Sequence, residues 1–349
     1  MFKKHPFAII SITILLAAGI FWTILYLLDF SVPEEKITYG VTFSKAHAEA
    51  LGLNWKETLT AALDDLGIRH FRLAAYWDDI EPTDDHFAFE DLDWQVNEIT
   101  KRGGTIIMGV GERLPGWPEC HTPDWAQELE RGEQQQKIMQ MLPVVISQYE
   151  NNPAIIRWQV ENEPLLPSVE RCAPPDENFF KKELALVERM DQTRPLMTTV
   201  SGEFGPWEDA GQYVDVLGAS LYRTVWKSDA TYSDYPFPPA FYKLRAETTR
   251  DVVPRIVLSE LQAEPWLPGQ ALDAPRAEQY RPVNAALFEK TLGYARKTGF
   301  DEIYFSGVEW WYWLKTKHNE SAIWDVARPL FPPEANPPLA GAIPATMSR

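Results

Sequence analysis

Short runs of consecutive apolar residues recur along the chain. Between them lie segments whose apolar positions repeat every three or four residues. The runs are "ITYGVTF" (37–43), "IRHFRLA" (68–74), "TIIMGV" (105–110), "AIIRWQV" (154–160), "PLMTTV" (195–200), "YVDVLGASLY" (213–222), "RIVLSE" (255–260) and "EIYFSGVEW" (302–310). Runs that are apolar throughout suit strands covered on both faces, as in a parallel sheet. The intervening segments read as helices at 55–67 (stopped by Gly67), 91–102, 124–150, 176–192, 238–249 and 275–298. Eight strands alternating with helices predict an α/β fold, a (β/α)8 TIM barrel rather than an open doubly wound sheet. The connection between the fifth and sixth strands is short and rich in Pro and Gly, so its helix is expected to be vestigial. Only "AIWDVARPL" (322–330) is available as a last helix.

The N-terminus breaks this pattern. Residues 7–28 carry no charge over 22 positions, enough to cross a bilayer as a helix. Lys3 and Lys4 precede the run, and Asp29, Glu34 and Glu35 follow it. Positive charge on the inner side predicts a single-pass cell-membrane anchor with the barrel outside the cytoplasm. A cleaved signal peptide is the rival, but Ala17-Ala18-Gly19 lie inside the apolar run rather than after it. The expected organisation is a cytoplasmic stub, transmembrane helix and linker (1–36), a catalytic barrel (37–331) and an irregular Pro-rich tail (332–349).

Composition narrows the function. A formal charge of −17 over 349 residues argues against a nucleic-acid partner. The 14 Trp suit sugar faces, though Trp is equally a core residue. The two cysteines, Cys120 and Cys172, fall in the loops after strands three and four and are expected to pair outside the cytoplasm. Six scattered His and two Cys offer no metal site, and there is no G-x-S-x-G, H-E-x-x-H, P-loop or G-x-G-x-x-G motif. No cofactor is expected, and a monomer is.

In such a barrel the chemistry gathers at the carboxyl ends of the strands. Strand four ends in Asn162 and Glu163, and strand seven ends in Glu260. Two facing carboxylates suit glycosidic bond cleavage: one gives a proton to the leaving oxygen, the other attacks the anomeric carbon or activates water. Arg72 and Tyr222 are candidate partners for the anionic carboxylate, Asn162 for a sugar hydroxyl, and Trp310 for the sugar face. His121 is a candidate lining residue. Glu264 is the rival to Glu260 or a sugar-binding group. Trp117, Trp125 and Trp266 are further loop aromatics.

The segment "WQVENEP" resembles the strand-four Asn-Glu-Pro motif of the clan A glycoside hydrolases, which include the family 5 cellulases and mannanases. "RIVLSE" is similar to that clan's strand-seven nucleophile segment, "FRLAAYWDDIEP" to its strand-two Arg region and "GVEWW" to its strand-eight Trp. These matches span about residues 37–313 in the clan's order. The resemblance implies a retaining double displacement on a β-linked oligosaccharide or polysaccharide, with Glu163 as acid/base and Glu260 as nucleophile. "WPECHTPDW" after strand three and "LQAEPW" after strand seven depart from the general clan pattern. A catalytically silent carbohydrate-binding barrel and a transglycosylase are the alternatives.

Overall fold

A computed structural model describes residues 6–27, 32–116, 119–167, 172–227, 231–266 and 274–332. The strands are β1 (Thr38–Thr42), β2 (His70–Ala74), β3 (Thr105–Val110), β4 (Ile155–Val160), β5 (Leu196–Val200), β6 (Val216–Leu221), β7 (Thr224–Trp226), β8 (Tyr232–Asp234), β9 (Arg255–Leu261) and β10 (Glu302–Phe305). Eight of them close a parallel barrel in the order β1-β10-β9-β6-β5-β4-β3-β2. The expected (β/α)8 barrel is therefore the fold. β7 and β8 form a separate antiparallel hairpin after β6, which the apolar pattern did not announce.

Helices cover the outside for the reasons that the periodicity implied. In Trp55–Asp64, Asn54 caps the first turn by accepting from the Lys56 and Glu57 amides, and Trp55, Leu59 and Leu63 are buried. In Arg131–Tyr149, Glu130 and Glu133 form a reciprocal capping box. The connection between β5 and β6 keeps only the five-residue helix Trp207–Gly211, as its Pro and Gly content suggested.

Three expectations are corrected or left open. The eighth barrel strand stops at Phe305. Gly307 then turns left-handed at φ 94°, and Val308–Lys317 is helical, so Glu309 and Trp310 lie on a helix rather than a strand. An apolar run fits a buried helix as well as a strand, and here it continued long enough to be a helix. A Cβ at Gly307 would lie 2.3 Å from the Glu264 Cβ, so the turn also needs glycine for space. The N-terminal helix runs Pro6–Leu27, with its side chains described and exposed over residues 10–24. Among the described residues no helix is long and apolar enough to cross a membrane, so the anchor rests on the sequence alone. Residues 333–349 of the expected tail lie outside the described residues.

The lower end of the barrel is closed by a buried ion pair. Arg157 on β4 donates to both oxygens of Glu302 on β10, at 2.6 and 2.8 Å. Arg255 and the Tyr304 hydroxyl donate to the same carboxylate at 2.7 and 3.0 Å. Burial alone would raise the Glu302 carboxyl; the two arginines outweigh it and hold it at about 2. Its contribution is therefore fully present above the ordinary carboxylate range and is lost as pH falls from there towards 2. Glu302→Gln leaves the Arg157 cation buried without its counter-ion and should cost about 3–5 kcal/mol, read as a lower urea midpoint at neutral pH. The difference from wild type should shrink on acidification.

Candidate active site

Arg72, the middle residue of β2, is fully buried at the centre of the upper barrel. Its Nε donates to Gln159 Oε1 at 2.7 Å and its Nη2 to Asn162 Oδ1 at 2.7 Å. Its Nη1 reaches Glu260 Oε2 at 3.1 Å, with Thr42 Oγ1 and the Ser259 carbonyl each at 3.4 Å. One guanidinium thus ties together β1, β2, β4 and β9. The Tyr222 hydroxyl donates to the other oxygen of Glu260. Burial, followed by the Glu260 charge, pushes the Tyr222 hydroxyl well above its ordinary range, so it stays a donor.

Glu163 lies in a different setting. Asn162 is flanked by two left-handed residues, Glu161 at φ 57° and Glu163 at φ 49°, an uncommon backbone for non-glycine side chains. The turn is held by bonds that satisfy its polar groups. The Glu163 amide donates to Thr199 Oγ1 at 2.9 Å, and the Asn162 amide donates to the Arg113 carbonyl at 2.6 Å. Asn162 Oδ1 also accepts from Thr199 Oγ1 at 2.7 Å. With that oxygen taken by Arg72 and Thr199, the Asn162 Nδ2 has no protein partner among the described residues. The Glu163 carboxyl accepts from Ser220 Oγ at 3.2 Å. Burial first, then the charges of Glu119 and Glu260, push it up to about 8.

Ser220 stands beside both Glu163 and Glu260. It is the register partner of Glu260 across the β6–β9 ladder, and its hydroxyl reaches Glu163. The Glu260 charge acts on Glu163, and both charges act on the Tyr222 hydroxyl, so the two carboxyls share one neighbourhood above the barrel. One carboxyl keeps its proton near neutrality. The other is bound by a guanidinium and a phenol, donors suited to an anion.

The remaining candidates divide. Glu264 lies three residues beyond the end of β9 and makes an ion pair with His47 at 3.0 Å. Burial opposes the His47 charge, but Glu264 and Glu309 prevail and raise the imidazole to about 9. Glu309 accepts from the Ser44 amide at 2.5 Å. Trp310 is corrected: its side chain is fully buried, donating to Gln279 Oε1 at 3.1 Å and packing edge-on to Tyr280, so it offers no face to a sugar. His121 is corrected likewise. It is 2% exposed, stacked on Tyr76 at 3.8 Å and 3.2 Å from Asp78 Oδ1, which makes it a packing residue under the loop. Trp266 is 46% exposed and lies edge-to-face with Tyr222 at 5.2 Å, the better aromatic wall. Trp125 donates to the Glu81 carbonyl at 2.9 Å, and Trp117 lies outside the described residues.

Cys120 and Cys172 are bonded, with Cα atoms 5.4 Å apart, as their loop positions suggested. They join the loop after β3 to the loop after β4. Glu161, at the exit of β4, forms a buried acid pair with Glu183 of the helix Glu177–Met190, which the sequence did not flag. Glu161 accepts from the Glu112 and Arg113 amides at 2.8 and 2.7 Å. Gly111, at φ 126°, lets its oxygen approach, since a Cβ there would come within 2.3 Å. Burial, then their mutual interaction, pushes Glu183 well up, so the Glu161–Glu183 pair retains a proton. Among the described residues the one group of three or more side chains placed to hold a metal ion together is Glu81, Asp84 and Asp85, where Lys137 already lies 2.6 Å from Asp84.

The glycoside hydrolase family 42 model, described as β-galactosidase, matches residues 53–209. The β-galactosidase BgaA of Clostridium cellulovorans is 24% identical over 180 residues, which is 45% of this chain and 26% of that protein. The likeness to clan A glycoside hydrolases is borne out. Three solved structures resemble the chain in fold. The β-galactosidase of Rahnella sp. R3 aligns with TM-score 0.52 and 12% identity over 79% of this chain and 51% of its own. The β-galactosidase of Halorubrum lacusprofundi aligns with TM-score 0.53 and 15% identity over 77% and 52%. A family 5 subfamily 18 protein of Bifidobacterium longum subsp. infantis aligns with TM-score 0.54 and 12% identity over 78% and 69%. The chain thus spans about half the length of the two β-galactosidases. At 12–15% identity the three structures show a likeness of fold.

Two outcomes are expected. A carbon-13 titration of labelled glutamate carboxyls should show one resonance moving near pH 8 that is missing from Glu163→Gln. Opening the bridge, which closes 52 residues of sequence, should cost about 4 kcal/mol in the chain-entropy account, seen as a lower urea midpoint for the double Cys→Ser variant.

Proposed function

We propose that the protein is a retaining β-glycoside hydrolase working by double displacement, with β-galactosides as the first substrates to test. The observation that carries the reading is the pairing of two converging carboxyls in opposite surroundings. Glu163 is half-buried and still protonated near neutrality, while Glu260 is held by Arg72 and Tyr222. Glu163 gives its proton to the glycosidic oxygen as Glu260 attacks the anomeric carbon. The bond to the leaving group breaks and a glycosyl ester forms on Glu260. Water then attacks the same carbon and gives its proton to Glu163, and the ester bond breaks to restore Glu260. The Nδ2 of Asn162 donates to a hydroxyl of the bound sugar, and Trp266 and Glu264 line its approach. The β-galactoside preference rests on the family 42 match and the Clostridium relative.

We propose also that the apolar N-terminal helix holds the barrel at the outer side of a cell membrane. Its support is the uncharged segment, the flanking Lys3 and Lys4, and a disulfide of the kind that persists outside the cytoplasm.

The test is a panel of aryl β-glycosides with wild type, Glu163→Gln and Glu260→Gly. Wild type should turn over at least one glycoside. Glu163→Gln should lose about 10²- to 10⁴-fold with poor leaving groups. Glu260→Gly should be silent, and added azide should restore a glycosyl azide of inverted configuration. Binding of saccharide without turnover by wild type would instead favour a silent carbohydrate-binding barrel, and an active Glu260→Gly would reject the assigned nucleophile.

A further inference from the structure

The loop after β3 does more than border the cleft. Arg113 lies three residues past the end of β3, and each of its polar groups is directed at the turn that carries Glu163 or at a support for that turn. Its carbonyl accepts the Asn162 amide at 2.6 Å, and its amide donates to Glu161 Oε2 at 2.7 Å. Its Nη1 donates to the carbonyls of Glu163 and Leu166, at 2.9 and 2.8 Å. The guanidinium is itself held from behind. Glu119 Oε2 accepts from its Nε at 2.8 Å and lies 2.6 Å from its Nη2. Glu119 is fixed in turn, because its carbonyl accepts the Leu114 amide at 2.8 Å and its neighbour Cys120 is bonded to Cys172.

This arrangement answers a mechanical need. The left-handed backbone at Glu163, φ 49°, is costly for a residue with a side chain and persists only where its surroundings over-determine it. The direction of the carboxyl follows from that backbone. The two N–H groups of Nη1, one to the carbonyl of Glu163 and one to that of Leu166, fix both ends of the turn, while the Nε and Nη2 edge of the rigid guanidinium is gripped by Glu119. Resting on the reading of Glu163 as the acid/base, we propose that Arg113, oriented by Glu119, is the positioning residue of that acid/base. It clamps the turn that aims the carboxyl at the glycosidic oxygen.

The charges facing Glu163 are Glu119 and Arg113 from the β3 loop and Glu260 from β9. Glu119 opposes ionisation of Glu163 and Arg113 favours it, so the pair also adjusts when the proton is lost.

The experiment uses the full chain and two aryl glycosides of one sugar that wild type accepts: a 2,4-dinitrophenyl glycoside, whose departure needs no proton, and a phenyl glycoside, whose departure does. Arg113→Ala should lose about a hundredfold in kcat/KM on the phenyl glycoside. On the dinitrophenyl glycoside it should change only a few-fold, which doubles as the check that the protein is folded. Arg113→Lys should recover part of the loss. Glu119→Gln should move the alkaline limb of the phenyl-glycoside profile to lower pH. Equal losses on both glycosides for Arg113→Ala, or an unmoved limb for Glu119→Gln, would overturn the clamp. Glu163→Gln separates the two readings. If it discriminates between the leaving groups and Arg113→Ala does not, only the clamp falls. If Glu163→Gln does not discriminate, the acid/base assignment fails and the clamp falls with it.

Discussion

A cation buried at the centre of the barrel is the constraint on which this site depends. The Arg72 guanidinium is shut off from water, so every donor it carries must find an acceptor in the protein. The acceptors come from Gln159 on one strand and Asn162 just beyond its end, Glu260 and the Ser259 carbonyl on another, and Thr42 on a third. A slip of register in β4 or β9 would turn an acceptor to the opposite face and leave the charge partly unsatisfied. The same residue that seals the upper interior therefore fixes where Asn162 and Glu260 stand. Preorganisation of the site follows from the need to neutralise one buried charge.

The two carboxyls are kept different by their contacts rather than by their chemistry, which is identical. Glu260 receives a guanidinium and a phenol. Glu163 receives one serine hydroxyl and is pressed upon by Glu119 and Glu260. A protein with an excess of 17 negative charges gives no general help in ionising a carboxyl, so the distinction is made locally, over a few ångströms. Burial separates the behaviour of the acids elsewhere too. Glu302 is as deeply buried as Glu183, yet two arginines hold Glu302 ionised while Glu183 shares a proton with Glu161.

What could be read from the sequence was whatever the strand exits advertise. The eight apolar runs located the eight barrel strands to within a few residues, and the polar residues in them or at their ends include Arg72, Asn162, Glu163, Tyr222 and Glu260, which the fold brings together. Trp310 was misplaced because aromatic residues after Gly307 look alike whether they continue a strand or begin a helix. His121 was misjudged because a residue in a loop can still be packed beneath it. Gln159 was visible as a polar residue inside an apolar run, a sign of an inward-facing partner for a buried charge. Ser220, Thr199 and Arg113 had no such sign. Their roles arise from distances between segments far apart in sequence, which local patterning does not encode.

The pairing of β1 with β10 has a consequence for how the molecule is made. Thr38 faces Glu302 in that ladder, so the first barrel strand waits for the last before its second edge is covered. Until then the nascent sheet is an open fan with two bare rims, and bare rims invite other chains. The low-contact-order route is closed to it, since the seam joins opposite ends of the sequence. Maturation should accordingly be a late, all-at-once event. The polypeptide is most in need of chaperone shelter in the interval just before its final strand emerges.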